Sequence, residues 1–368
     1  MSRNSVTLAD VLDGLVESHK MTHENAQHAK LLLQKKTAVQ PWYVRTMVGF
    51  GAWLASFFVI GFFVGVFSGM NEIGFVVIGL LLVAGAVALR RVFTGDFMVQ
   101  CALAASLAGQ AMAAFGVIEV LQWREIEVFC WAVIIMSAVL FMIFPDRIHR
   151  VLSVLLALSS FVIFVYAQEL NMLIPVVGPV LAVAFVVLHE RGAMFIESGQ
   201  GALLRPLQNG LMLGAFGCLM LSTVYVIPEL AKHVEFYPRP WISTVILGGL
   251  FLYVGSRIWP PLVVKAHNQG LTLVYGLMSI VIVAAWSAPG LLLALTVVMI
   301  GAASGSRSML GAGIAFLVVF VCAYFYGIEI TLLAKAGTLI ASGVAILLAR
   351  WVLLKVMSES PVAGASHD

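Results

Sequence analysis

Between residues 44 and 354 the chain is a succession of apolar runs, at 44–67, 73–89, 97–118, 126–144, 148–167, 172–188, 206–227, 241–257, 270–287, 289–304, 309–326 and 332–354, parted by short polar corners. Unbroken runs of this length suit α-helices that cross a hydrocarbon layer of ~30 Å at about 1.5 Å rise per residue, whereas a β-barrel would show alternating ten-residue strands. With 61% hydrophobic and only 11% charged residues, and a mean hydropathy of +1.03, too little polar surface remains to keep the chain in water. The sequence therefore predicts an all-α polytopic membrane protein with twelve transmembrane helices. Its 33 Gly and 8 Trp fit that class, since Gly permits close helix approach and Trp settles at headgroup level. The run at 289–304 is short for the bilayer and predicts a tilted, broken or shielded helix.

Lys and Arg bias loops toward the cytoplasm. With the amino terminus inside, 17 of the 21 basic residues fall on the cytoplasmic side, including Arg90, Arg91, Arg147, Arg150, Arg191, Arg205, Arg257, Arg307 and Arg350. Only Arg124, Lys232, Arg239 and Lys335 fall outside, where Glu72, Glu119, Glu169, Glu229 and Glu329 give the loops a negative balance. Both termini are expected in the cytoplasm. The polar first forty residues predict no cleavable signal peptide, so the first membrane helix directs insertion.

Residues 1–40 read as a cytoplasmic helical hairpin, Thr7 capping a helix with Leu8, Val11, Leu12, Leu15 and Val16 on one side and Thr22 capping a second. A first six-helix half at 41–191, a linker at 192–205, a second half at 206–355 and a tail at 356–368 follow. A shift of 160 residues pairs Arg147 with Arg307, Tyr166 with Tyr326 and Glu169 with Glu329, and after a one-residue gap Arg191 meets Arg350. These matches fall at corresponding ends of expected helices and predict a six-plus-six tandem repeat whose halves share one orientation.

The candidate functional residues are Tyr166, Glu169, Tyr326 and Glu329 at two outer corners, with Lys335 beyond the second. The carboxylates either cap the following helix or line an outward vestibule that attracts cations or protons. Lys335 stands where the first half has Pro175, and snorkels to the interface or pairs with Glu329. Pro175, Gly178 and Pro179 predict a kink or an unwound turn. Gln110, mid-run, predicts hydrogen bonding between helices, and Gly61/Gly65, Gly210/Gly214 and Gly301/Gly305 predict close helix contacts.

The four cysteines show neither CxxC spacing nor His neighbours, so no disulfide framework, metal site or cofactor is indicated. His189 lacks the second His of a zinc-protease motif, and neither a nucleophile elbow nor a phosphate loop occurs. Arg307 in SGSRS reads as a loop. The basic residues are spread over helix ends rather than forming a face, which argues against nucleic acid. An outer cluster of Glu119, Trp123, Arg124, Glu125 and Glu127 reads as an acidic, Trp-anchored loop, the alternative being a site for a lipid-linked sugar.

At PWYVRTMVGFGAWLASFFVIGFF from Pro41, and again at FYGIEITLLAKAGTLIASGVAILLARW from Phe325, the chain resembles a family of bacterial integral membrane proteins defined by a domain of unknown function. Where some relatives carry adjacent tyrosines at the corner, this chain has Phe325 before Tyr326 and Val165 before Tyr166. The resemblance implies a bacterial inner-membrane location and a small membrane-anchored partner with a GDYxxLxY motif. Together these readings predict a non-enzymatic membrane core of a small complex, or a permease-like carrier within it. The alternative is a membrane-embedded transferase acting on lipid-linked substrates at the outer face.

Overall fold

A computed structural model of the chain describes residues 8–18, 22–27, 71–93, 95–122, 126–223, 240–263, 268–286 and 288–327, with single positions between 47 and 65 and between 331 and 351. The described elements are helices: α1 Leu8–Glu17, α2 Glu72–Val92, α3 Asp96–Val120, α4 Ile126–Ile143, α5 Arg147–Ala167, α6 Ile174–Glu190, α7 Gly192–Glu197, α8 Gly201–Thr223, α9 Pro240–Val263, α10 Asn268–Ala284, α11 Pro289–Ala303 and α12 Arg307–Gly327. Six of them, α2 to α5, α9 and α12, are long and apolar enough to cross a membrane, while α6, α10 and α11 contain shorter apolar helices. The protein is an α-helical membrane protein. Residues 192–205, expected as a linker, form α7 and the first turn of α8.

The chain divides into two compact units, Met1–Ala113 and Ala114–Asp368. In the first, α2 is capped by Asn71, whose side chain accepts the Gly74 N–H, and it ends on Arg90 and Arg91, which complement the negative end of the helix dipole. α2 meets α3 where Gly79 faces Gly109; a β-carbon at Gly79 would lie 2.6 Å from the Gly109 carbonyl oxygen, so both positions require glycine. Met47, Phe50, Leu54, Phe57, Phe58 and Phe62 are helical and exposed, as lipid-facing side chains are.

In the second unit α8 packs against α5, α6, α11 and α12, and α9 against α6, α10 and α11. Its core holds Leu181, Phe185, Phe216, Leu219, Leu247, Leu292, Leu293 and Val297. Gly210 and Gly214 bring α8 onto Val154 and Leu158 of α5, where an added methyl at Gly210 would stand 2.7 Å from Val154. Gly301 likewise lies against the backbone of Leu310, whereas Gly305 takes a left-handed φ of +66° at the corner after α11. α11 spans only 15 residues and is shielded, with Leu292, Leu293, Ala294 and Val297 fully buried.

Pro179 and Pro206 sit inside helices, and each leaves a carbonyl four residues earlier without its N–H donor. Pro179 frees the Pro175 carbonyl, which accepts the Ser243 hydroxyl of α9 at 2.5 Å. Pro206 frees the Ala202 carbonyl, which accepts a guanidinium N–H of Arg150 at 3.3 Å; a second N–H of Arg150 reaches the Phe141 carbonyl at the end of α4 at 3.1 Å. With these donors supplied from neighbouring helices, α6 runs unbroken from Ile174 to Glu190, and the unwound turn expected at Pro175 to Pro179 does not form.

Two helical hairpins, α4–α5 and α11–α12, turn through three-residue corners at 144–146 and 304–306. Asp146 caps α5 by accepting the Ile148 and His149 N–H groups at 2.9 and 3.0 Å, and Ser306 caps α12 by accepting the Met309 N–H at 3.4 Å. His149 is fully buried, stacked on Phe144 with centroids 4.0 Å apart and bonded through Nδ1 to the Ser153 hydroxyl at 3.2 Å.

Candidate functional site

The corner after α5, expected on the outer side, closes on backbone geometry. Glu169 has a left-handed φ of +56°, its N–H donates to the Tyr166 carbonyl at 3.1 Å, and the Leu170 N–H donates to the Val165 carbonyl at 3.1 Å. That pair of bonds is the Schellman closure, in which glycine is the usual left-handed residue. The carboxylate does not cap α6, as one sequence reading had it. The cap residue there is Leu173, which makes no side-chain cap bond, and Pro175 occupies the first turn. Tyr166 and Tyr326 are both exposed, each penultimate in its helix. Glu329 and Lys335 lie outside the described residues, as do Trp123, Arg124 and Glu125. Gln110 is 4% exposed, and its Nε2 donates to the Ser106 carbonyl and hydroxyl at 3.2 and 3.3 Å, bonds that run within α3.

The opposite ends of α5 and α12 converge on a cavity of about 430 Å³. α5 contributes Arg147 and Val151, α6 contributes His189, α8 contributes Arg205, Pro206, Gln208 and Asn209, and the corner and first turn of α12 contribute Ser304, Ser306, Ser308 and Met309. Gln208 is buried and donates to the Leu188 carbonyl at 2.9 Å, satisfying one of the acceptors left open at the end of α6. His189 also borders a neighbouring cavity of about 280 Å³ together with Glu190, Arg257 and Ser304. There the Tyr253 hydroxyl donates to Glu190 at 2.8 Å and Arg257 lies 3.9 Å from the same carboxylate, stacked 5.5 Å from the Tyr253 ring.

The first cavity thus carries two arginines and no carboxylate. Ser304 donates to the Ile300 carbonyl at 2.7 Å and Ser306 shares a hydrogen bond with Ser308 at 3.3 Å; among the described residues no serine here bonds to His189, so no nucleophile–base pair is formed. Among the described residues, no group of three His, Cys, Asp or Glu is placed to hold a metal ion.

The lining residues come from positions 147, 189, 205 and 304, and in the sequence they register only as separate loop charges and a serine-rich corner. Arg307, expected in a loop, opens α12.

Residues 41–356 match the family model described as a domain of unknown function, DUF4401. The chain belongs to the DUF4401 family. The DUF4401 match takes in α2 to α12 and every residue lining both cavities, and leaves α1 outside. No curated protein and no solved structure matches this DUF4401 chain.

Proposed function

We propose that the chain is a non-enzymatic multipass protein of the bacterial inner membrane that serves as the membrane core of a small complex. The observation that carries this reading is the apolar closure of the second unit, where Leu181, Phe185, Phe216, Leu247, Leu292 and Val297 fill the space between α6, α8, α9 and α11. A carrier needs polar groups free to meet a solute at that depth. Here Ser243, Thr244 and Thr296 each donate to a backbone carbonyl, of Pro175, of Pro240 and Trp286, and of Leu292 respectively. The scaffold reading is therefore favoured over a permease-like one.

In this reading the bundle comprises twelve membrane helices with both termini in the cytoplasm. The gathering of Arg147, Arg205 and Arg257 around adjoining cavities at one end supports that end as the cytoplasmic one. A six-plus-six duplication is supported by the two hairpins, since α4 and α5 meet at residues 143 and 147 and α11 and α12 at 303 and 307, the same positions after the 160-residue shift. The partner proposed is a small membrane-anchored protein with a GDYxxLxY motif.

The test is affinity purification of the tagged chain from native membranes in mild detergent. A second subunit in fixed ratio, retained through size-exclusion chromatography and identified by mass spectrometry, is the expected result. Elution of the chain alone from every detergent tried, together with solute flux in liposomes, would overturn the scaffold reading.

A further inference from the structure

We infer that the cavity between Arg147 and Arg205 binds a phosphate-bearing anion. Arg147 and Arg205, both exposed, line one concave space at the end of the second unit, and neither side chain makes an ion pair or hydrogen bond with any described residue. Glu190, in the adjoining cavity, is already held by Tyr253 and Arg257. Two arginines and no carboxylate beside a concavity walled by Val151, Pro206 and Met309 give it a positive potential that draws an anion.

The donor set selects among anions. Two arginine forks, the Asn209 amide and the one hydroxyl proton that the Ser306–Ser308 pair leaves free offer more N–H and O–H groups than the two oxygens of a carboxylate can accept, whereas the oxygens of a phosphate ester can use them. A volume of about 430 Å³ exceeds that of a bare phosphate and leaves room for an attached glycerol- or sugar-sized group. That chemistry is shared by an anionic phospholipid headgroup entering from the cytoplasmic leaflet and by a soluble phosphate ester.

The test uses the full chain with Arg147→Gln and Arg205→Gln, singly and together. Arg191→Gln, an exposed arginine at the end of α6 that does not line the cavity, is the control. Thermal unfolding in a neutral detergent is followed against inorganic phosphate and glycerol 3-phosphate. Native mass spectrometry then reads retained lipid after reconstitution in phosphatidylcholine nanodiscs containing phosphatidylglycerol. The expected result is stabilisation of the wild type by at least one probe, with the half-saturating concentration raised tenfold or more in the double variant and unchanged in Arg191→Gln. Retained phosphatidylglycerol identifies the lipid source, and a response to glycerol 3-phosphate alone identifies the soluble one; either supports the site. No response of the wild type to any probe, or an equal loss in Arg191→Gln, would overturn it.

Discussion

The Ser243 hydroxyl of α9 donates to the Pro175 carbonyl of α6 at 2.5 Å, replacing the N–H that Pro179 lacks. Ser243 is 1% exposed, so without it the carbonyl has neither water nor a helical donor to turn to. Ser243→Ala is expected to lower stability by about 1–2 kcal/mol, more than the ~0.6 kcal/mol typical of interhelical bonds in membranes, because the carbonyl has no fallback partner. The same change in a Pro179→Ala background is expected to cost less, since residue 179 then donates within its own helix. Equal costs in both backgrounds, read by thermal unfolding in detergent, would discard this account.

Arg150 serves a second proline in the same way while also closing the end of α4. A lysine keeps the charge but loses the fork that reaches both carbonyls. Arg150→Lys is expected to destabilise by about 1–3 kcal/mol, with part of the loss recovered by Pro206→Ala. If lysine preserved the full melting temperature, the two-carbonyl bridge would be of no consequence.

Close approach of α8 to α5 rests on two glycines. Gly210→Ala would press a methyl into Val154 and is expected to cost about 1–3 kcal/mol, whereas Gly217→Ala on the same helix, with nothing within 4 Å of the added methyl, is expected to be neutral or to stabilise by up to about 1 kcal/mol. A reversed order in the two melting curves would refute the packing argument.

At the corner after α5, Glu169 holds a left-handed conformation that costs a non-glycine residue roughly 1–2 kcal/mol. Glu169→Gly is therefore expected to raise stability. If the carboxylate pair also matters to the complex, Glu169→Gln combined with Glu329→Gln lowers the yield of co-purified partner more than Gln110→Leu does. A smaller effect than that of Gln110→Leu would leave the corner with a structural role only.

The helices were largely legible. The run read at 126–144 is α4 at Ile126–Ile143, and the run at 289–304 is α11 at Pro289–Ala303, because a long apolar stretch is a strong and local signal. α8 begins at Gly201, five residues before the apolar run read at 206–227, because its first turns carry Arg205 and end on Pro206 rather than continuing the apolar pattern. The left-handed conformation of Glu169 was not legible, because such closure of a helix is announced by glycine and no local cue marks a glutamate in that role. The arginine-lined cavity could not be seen, because the packing of α5, α6, α8 and α12 alone brings positions 147, 189, 205 and 304 together.

The enclosure of α11 by α8, α9 and α12 has a consequence for the whole bundle. A 15-residue helix in direct contact with acyl chains would be sensitive to how thick the surrounding leaflets are. Sheathed in protein, α11 answers to the shapes of its neighbours instead. Changes in lipid composition should leave it undisturbed, while its side chains can vary only in step with those of the three helices around it.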